Sequence, residues 1–179
     1  MGDKVVKPSY RSIETTYSFP LFDTSEYGEM IADLSVDTTR NQLIVNTLAE
    51  YPTQQHALLC HLQTQVEALA KLIPGSKILI HKTKPKEREA IIAGLIDGSV
   101  RTVVTTWKLF HKGIDLAELE ILFLCAPTRS KAQIKQSAGR LMRTSTKIDK
   151  HPVIVDFVDK QIDTLKYQWY TRARILKGL

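Results

Sequence analysis

Four residues in the segment 136–143 have types and a spacing that could bind phosphate. Gln136, Gly139, Arg140 and Arg143 follow the pattern Q-x-x-G-R-x-x-R. At about 100° per residue, these residues project from one side of a helix. Two guanidinium groups one turn apart offer forked donors to phosphate oxygens, and a glycine lets a ligand approach the backbone. A solvated basic helix face gives the same R-x-x-R pattern, so the neighbouring segments must decide between the two interpretations.

A helix that begins at Ser130 can position this segment. Ser130 and Gln133 have the spacing of a capping box, which predicts the start of the helix. Ile134, Ala138 and Leu141 project from the side opposite the arginines. We therefore expect the apolar side to pack on a sheet and the polar side to face a ligand.

Composition indicates one globular domain with a continuous core, since the 179 residues are 43% hydrophobic and 25% charged. The formal net charge of +6 modestly favours a polyanionic partner. No run approaches the roughly 18 apolar residues of a membrane span, and no signal-type segment begins the chain. Cys60 and Cys125 lie in apolar runs and are too few for a disulfide framework, which favours a reducing, cytoplasmic location.

A metal site is not expected, because the five histidines lack metal-ligand spacing. The first 36 residues are predicted to form a lead-in with a first helix from Ser25, and residues 37–179 to form the main domain. Within the lead-in, residues 13–19 alternate as an edge strand or an extended connector would. A second helix is predicted after Asp37, which has the residue type and position of an N-cap.

From residue 56 the chain alternates between short apolar runs and helical patterns. The runs cover residues 56–62, 77–81, 102–106, 119–126 and 153–158, and the helices cover residues 64–73 and 85–96, the segment from residue 130, and residues 160–176. This alternation predicts a three-layer α/β/α fold with a mainly parallel sheet covered on both faces. In such sheets, ligands bind at the carboxyl ends of the strands.

The position of each tryptophan, buried or at the surface, is predicted from whether it shares the spacing of the neighbouring apolar residues. Trp107 follows a predicted strand outside any stripe and is expected at the surface. Trp169 lies on the final helix at core spacing and is expected to be buried, whereas Arg172 falls off that stripe.

In this order, the segments resemble the C-terminal RecA-like motor domain of superfamily 2 helicases over residues 37–158. The segments that carry the resemblance are residues 57–61 with 65–70 (motif IV), His81 with 86–89, residues 103–106 with 112–116 (motif V) and 136–143 (motif VI). DEAD-box RNA helicases usually begin motif VI with histidine. Gln136 and its flank 130–134 are more similar to the DNA-directed branch that includes phage repair and transcription-repair translocases.

The resemblance implies ATP and Mg²⁺ as cofactors, held mainly by a first RecA-like domain. The chain has neither G-x-x-x-x-G-K-[ST] nor a D-E-x-[DH] box, so half of that ATP site is missing. The first domain is therefore an expected partner, in cis or as a separate chain. The isolated chain is expected not to hydrolyse ATP.

The resemblance also implies roles for individual residues at the nucleotide. Arg140 and Arg143 would reach the terminal phosphates, with Arg143 as the arginine finger. Gln136 would orient Arg140 or the attacking water. Gly113 and Asp115 would meet the ribose and relay closure, although the two could equally be a turn glycine and a capping aspartate.

Other residues would contact the backbone of nucleic acid. A hydroxyl of Thr105 or Thr106 at a strand end resembles the phosphate-binding hydroxyl of motif V, and Thr64 at a helix start could offer amides. Lys82 and Lys84 form a basic turn that is also typical of a plain solvated loop.

These features favour the second motor domain of an ATP-dependent DNA helicase or translocase that acts on duplex or branched DNA. One alternative is a nucleic-acid-binding or regulatory RecA-like module without catalysis. The other is an unrelated doubly wound nucleotide-binding domain, which is disfavoured because residues 62–64 contain no glycine-rich turn.

Overall fold

A computed structural model describes residues 5–20, 23–113, 117–145 and 149–179. Its strands are β1 (Ser9–Glu14), β2 (His56–Cys60), β3 (Lys77–Leu79), β4 (Thr102–Thr106), β5 (Ile121–Leu124) and β6 (Val153–Val158). Its helices are α1 (Tyr27–Val36), α2 (Thr38–Leu48), α3 (Gln63–Leu72), α4 (Pro85–Asp97), α5 (Trp107–Gly113), α6 (Lys131–Leu141) and α7 (Asp163–Lys177).

All six strands pair in parallel in the order β1-β6-β5-β2-β4-β3. In the central register, Leu58 lies between Val104 and Phe123. Helices cover both faces, because alternate strand residues enter two separate cores. One core contains Leu59 with residues of α4 to α7, and the other contains Leu58 with residues of α2 and α3. The predicted RecA-like α/β architecture is thus confirmed.

The lead-in contributes an edge strand to this sheet. β1 pairs in register with β6 and begins four residues earlier than the pattern at 13–19 suggested. α1 packs through Met30 and Leu34 against Ile162 and Leu165, which lie at the start of α7. The division into residues 1–36 and 37–179 stays a prediction.

Helix α5 occupies a segment that the sequence pattern assigned to a loop. Trp107 is only 2% exposed, so its predicted surface position is wrong. Its indole Nε1 donates to the Ala126 carbonyl at 3.1 Å, and Leu109 and Phe110 enter the same core. The hydroxyl of Thr106 accepts from Leu109 N at 3.3 Å and begins the helix. Seven residues are too few to show a helical period in sequence.

Two residues of α7 also differ from expectation. Arg172 is 1% exposed and pairs with the buried Asp156, at 3.0 Å between Nη2 and Oδ1. Trp169 is only half-buried, and its Nε1 donates to the Tyr10 hydroxyl at 3.0 Å. Cys60 and Cys125 are both buried free thiols, as predicted, and burial raises the pKa of Cys60 well above its usual range.

Candidate nucleotide and nucleic-acid site

The start of α6 agrees with the cap read from the sequence. The Ser130 hydroxyl accepts from Gln133 N at 3.2 Å. The reciprocal half of the capping box is replaced by Thr128, whose hydroxyl accepts from Ser130 N and donates to the Gln133 amide oxygen at 3.0 Å. The cap therefore extends into the loop after β5, which anchors the helix to the sheet.

The two faces of α6 are those expected. Ile134, Ala138 and Leu141 are buried, and Gln136 and Gly139 are exposed. A Cβ added to Gly139 would meet no atom within 4 Å. The outer face of α6 is therefore open to a ligand, although packing within this chain does not itself require glycine there.

Arg143 lies beyond the helix, and its predicted helical position is wrong. α6 ends at Leu141 with Met142 as the C-cap, and Arg143 forms an antiparallel bridge with Val5. Val6 N donates to the Met142 carbonyl at 3.0 Å. The backbone at the end of α6 thus pairs with the N-terminal segment and does not continue the helix. Helical periodicity does not reveal this long-range contact.

Arg140 joins the two segments that resemble motifs V and VI. Its Nη2 donates to the His111 carbonyl at 2.9 Å. His111 lies in the last turn of α5, two residues before Gly113 at the helix end. The predicted ligand Asp115 lies outside the described residues. Sequence reasoning missed His111 because a backbone carbonyl accepts this bond, so the residue type carries no signal.

A buried lysine holds the backbone next to these arginines. Lys150 is 4% exposed, and its Nζ donates to the carbonyls of Arg143 and Ala117, both at 3.0 Å. Burial lowers the pKa of Lys150 to about 8, against the opposing attraction of Glu120 and Glu118. No pattern in the sequence marked Lys150, because its partners are carbonyls of two distant segments.

The predicted nucleic-acid residues follow three neighbouring strands. β4 lies between β2 and β3, so the loops after these strands meet at one edge of the sheet. Thr64 is exposed in the first turn of α3, whose N-cap Leu62 provides no side-chain acceptor. Lys82 and Lys84 are exposed, and Lys84 is the N-cap of α4. Exposed helix starts beside lysines are suited to phosphate.

Of the two threonines offered for motif V, only Thr106 is accessible. Thr105 is 0% exposed within β4, and its hydroxyl has no hydrogen-bond partner. Thr106 is half-buried, and its hydroxyl caps α5. We retain Thr106 as the candidate. Thr105 is buried between β2 and β3, so it cannot contact a nucleic-acid strand unless the sheet rearranges.

Within the described ranges, no group of three or more His, Cys, Asp or Glu side chains is arranged to hold a metal ion. In the same part of the chain, no helix has the length and apolar character that crossing a membrane requires. The chemistry that the site does present is cationic: Arg140 lies on the helix that exposes Gln136 and Gly139, and the exposed Arg143 follows the end of that helix. This donor set fits the phosphates of a nucleotide.

The sequence matches the model of a known family. The model of the helicase conserved C-terminal domain matches residues 38–145, which include α2 to α6 and both arginines. The chain belongs to this helicase domain family. The match confirms the predicted helicase class and places β1, α1, β6 and α7 of this helicase domain outside the matched region.

Several curated relatives of this helicase domain are poxvirus proteins. The chain is 27% identical over 142 residues to transcript termination protein A18 of camelpox virus and 26% identical over 142 residues to transcript termination protein OPG145 of variola virus. Each match covers 75% of this chain and 28% of the viral protein. The chain thus spans little more than a quarter of the length of these relatives.

Solved structures share its fold. The C-terminal domain of the DEAD-box protein Dbp5 has a TM-score of 0.68 at 12% identity, with 98% of this chain and 88% of that chain covered. S. cerevisiae Dbp5 bound to RNA and ADP BeF3 has a TM-score of 0.67 at 12% identity, covering 98% and 40%. None of these named relatives is a phage or DNA-repair helicase, so the predicted similarity to that branch stays a prediction.

Proposed function

We propose that this chain is the second motor domain of an ATP-dependent superfamily 2 helicase or translocase. It supplies Arg140 and Arg143 to ATP that a first RecA-like domain holds, and it contacts the backbone of a nucleic-acid strand. The proposed location is the cytoplasm. The chain spans 28% of its viral relatives, which leaves room in a longer protein for the first domain.

The observation that carries this proposal is the bond between Arg140 and the His111 carbonyl. It joins the end of α5, which resembles motif V, to the arginine segment. A change at the nucleotide can therefore pass to β4 and its strand-end loop through one short helix. A module that only bound nucleic acid would not need arginines beside that connection.

The proposed role of the two arginines is to stabilise negative charge on the phosphates of ATP. ATP with Mg²⁺ supplies the transferable phosphoryl group, and we propose that the first domain holds most of its phosphate contacts. Arg143, exposed and set in an extended segment, is the proposed arginine finger, because a guanidinium can neutralise charge that develops on the phosphoryl group. Gln136 would orient Arg140 or the attacking water, and Gly113 and Asp115 would meet the ribose.

The nucleic-acid strand would lie across the loops that follow β2, β4 and β3. Thr64, Thr106, Lys82 and Lys84 would contact phosphates, which position the strand without reading its sequence. Thr105 would contribute only after a rearrangement that exposes it. Gln136 and its flank favour duplex or branched DNA. Since one structure of similar fold is bound to RNA and two relatives are transcript termination proteins, RNA is tested in parallel.

The test uses Arg143→Lys in a protein completed with a first RecA-like domain. We expect ATP turnover to fall by about a hundredfold or more with little change in nucleotide affinity, because lysine lacks the planar fork. Arg129→Lys, an exposed position before α6, is the matched control and should leave turnover unchanged. The isolated chain is expected to show no nucleic-acid-stimulated hydrolysis.

Thermal melts on the same samples separate catalysis from folding. If Arg143→Lys melts several degrees lower while turnover per folded molecule is unchanged, the arginine is structural and the proposal is wrong. Unchanged turnover with an unchanged melt would remove Arg143 from catalysis and overturn the arginine-finger assignment, whereas a completed protein without any turnover would favour the alternative, a regulatory module without catalysis.

A further inference from the structure

One face of α7 carries an exposed stripe that the proposed motor function does not use. Asp163, Tyr167, Tyr170, Arg174 and Lys177 are spaced by four, three, four and three residues, and all five are exposed. This spacing places them along one side of the helix, which we call the α7 stripe. The stripe is about 20 Å long at 1.5 Å per residue.

The tyrosines of the stripe are unusual for this protein. Tyr167 is 69% exposed and Tyr170 is 46% exposed, and every other aromatic side chain in the described ranges is buried or half-buried. The two rings lie 6.4 Å apart between centroids, and Tyr170 lies 4.9 Å from Trp169. Trp169 is fixed in turn by its bond to the Tyr10 hydroxyl. The rings therefore form an ordered aromatic surface in contact with water.

Positive charge surrounds these rings. Arg174 and Lys177 continue the stripe, Lys166 precedes Tyr167, and the Nζ of Lys160 lies 4.8 Å from the centroid of the Trp169 ring. The nearby acids are Asp163, at the start of the stripe, and Glu14, which pairs with Lys160 at 3.0 Å. Cations therefore outnumber acids along the helix. The surface fits a ligand that combines negative charge with flat apolar rings.

We propose that the α7 stripe binds single-stranded nucleic acid, with one base stacked on each of Tyr167 and Tyr170 and with Arg174 and Lys177 at the phosphates. Bases of a single strand present open π-faces, whereas those of a duplex are covered by their neighbours. An acidic peptide would satisfy the cations but would not need the tyrosines. α7 begins five residues after β6 ends, so the stripe starts near the edge of the sheet that carries the proposed strand-binding loops.

This contact goes beyond the motor function, because it requires neither ATP nor the first domain. The test is fluorescence anisotropy of labelled oligo(dT) and of a duplex of equal length with the intact chain. The double variant Tyr167→Ser/Tyr170→Ser should bind oligo(dT) about tenfold more weakly or worse, since base stacking on an aromatic side chain is worth that much or more. Its affinity for the duplex should change much less.

Two matched variants make the result specific. Tyr167→Phe/Tyr170→Phe keeps both rings and should bind oligo(dT) as the unmodified chain does. Lys82→Gln/Lys84→Gln weakens the proposed loop contacts and leaves the stripe intact. Both tyrosines are exposed, so equal thermal melts are expected for all variants.

Several outcomes would overturn the inference. The serine variant could bind oligo(dT) normally, or the phenylalanine variant could lose as much affinity as the serine variant. The serine variant could lose affinity for the duplex and oligo(dT) equally. Sedimentation could show that the unmodified chain self-associates and that the serine variant is monomeric, which would make the stripe a protein interface. If only the lysine variant loses affinity, the stripe proposal fails and the motor proposal stands; if no form of the chain binds either nucleic acid, the proposed strand contacts fail as well.

Discussion

The ammonium group of Lys150 donates to the backbone carbonyl of Arg143 at 3.0 Å, and a second bond at 3.0 Å reaches the Ala117 carbonyl. The opposite side of the same short segment is held by Val6, whose N–H donates to the Met142 carbonyl. The proposed arginine finger therefore extends from a backbone that two distant parts of the chain hold in place. Its side chain is exposed while its main chain is fixed.

The buried ammonium of Lys150 should leave a signature in stability at alkaline pH. Its pKa is lowered from 10.5 to about 8, so between these values the unfolded chain binds more protons at this site than the folded chain does. The contribution of Lys150 to the free energy of unfolding should thus rise with pH over this window, by about 3 kcal/mol. Urea melts of the unmodified chain and of Lys150→Met from pH 7.5 to 10.5 measure it.

The comparison is made as a difference between the two proteins, which cancels the titration of other groups. Lys131→Met, an exposed position on α6, removes the same charge and should track the unmodified chain. Parallel pH profiles for Lys150→Met and the unmodified chain would show that the ammonium is not buried.

His56 should make stability depend on pH at the acid end. Burial lowers its pKa below 6.5, its Nε2–H donates to the Tyr51 carbonyl at 2.7 Å, and its Nδ1 accepts from the Thr102 hydroxyl at 3.0 Å. As the pH falls below 6.5, this histidine takes up a proton in the unfolded chain but not in the folded one. The free energy of unfolding therefore decreases with falling pH until the lowered pKa of folded His56 is reached. His56→Gln should lose this acid limb, measured by urea melts from pH 5 to 8.

His151→Gln removes a histidine whose side chain is 87% exposed and serves as the control. An acid limb of equal size in His56→Gln and the unmodified chain would assign the pH dependence to other groups.

The buried pair Arg40–Asp159 should be strongly non-additive. Arg40 contacts both carboxylate oxygens, at 2.8 and 3.0 Å, and also donates to the Cys125 carbonyl. Burial alone would lower the pKa of Arg40, but the Asp159 charge more than offsets this and raises it. Arg40→Met should cost about 3 to 5 kcal/mol because it strands a buried carboxylate, and Arg40→Met/Asp159→Leu should recover much of that loss.

The surface pair Arg11–Glu50 provides a matched comparison within the same protein. Its atoms approach to 2.6 Å, but the side chains are 40% and 51% exposed. Arg11→Met should therefore cost less than about 1 kcal/mol. Chemical denaturation of the unmodified chain and these three variants tests the contrast, and equal losses for Arg11→Met and Arg40→Met would contradict it.

The strand-end lysines should set the salt dependence of binding. Lys82→Gln/Lys84→Gln should weaken binding to DNA and RNA of any sequence and reduce the slope of log affinity against log salt by about 1 to 2, since each lysine that neutralises a phosphate contributes nearly one. Lys71→Gln/Lys108→Gln, at two exposed positions on other helices, is the control. A slope unchanged in the first variant would remove these lysines from the interface.

Local patterns were sufficient for most of the architecture. Apolar runs such as 119–126 predicted strands, because a strand that is buried on both faces must consist almost entirely of apolar residues. Ser130 and Asp37 predicted helix starts because capping involves only neighbours within a turn. The arginine segment could be recognised from its spacing, since the whole pattern lies within eight consecutive residues.

Tertiary structure alone decided which charged groups are buried and where α6 ends. Arg40 lies 119 residues from Asp159, and Val5 meets Arg143 from the other end of the sequence, so no local period contains either contact. Trp107 enters the core because Ala126, from a separate strand-end loop, accepts its N–H. A polar or amphipathic side chain becomes stable in the interior only when a distant partner satisfies it, and that partner is supplied by the fold.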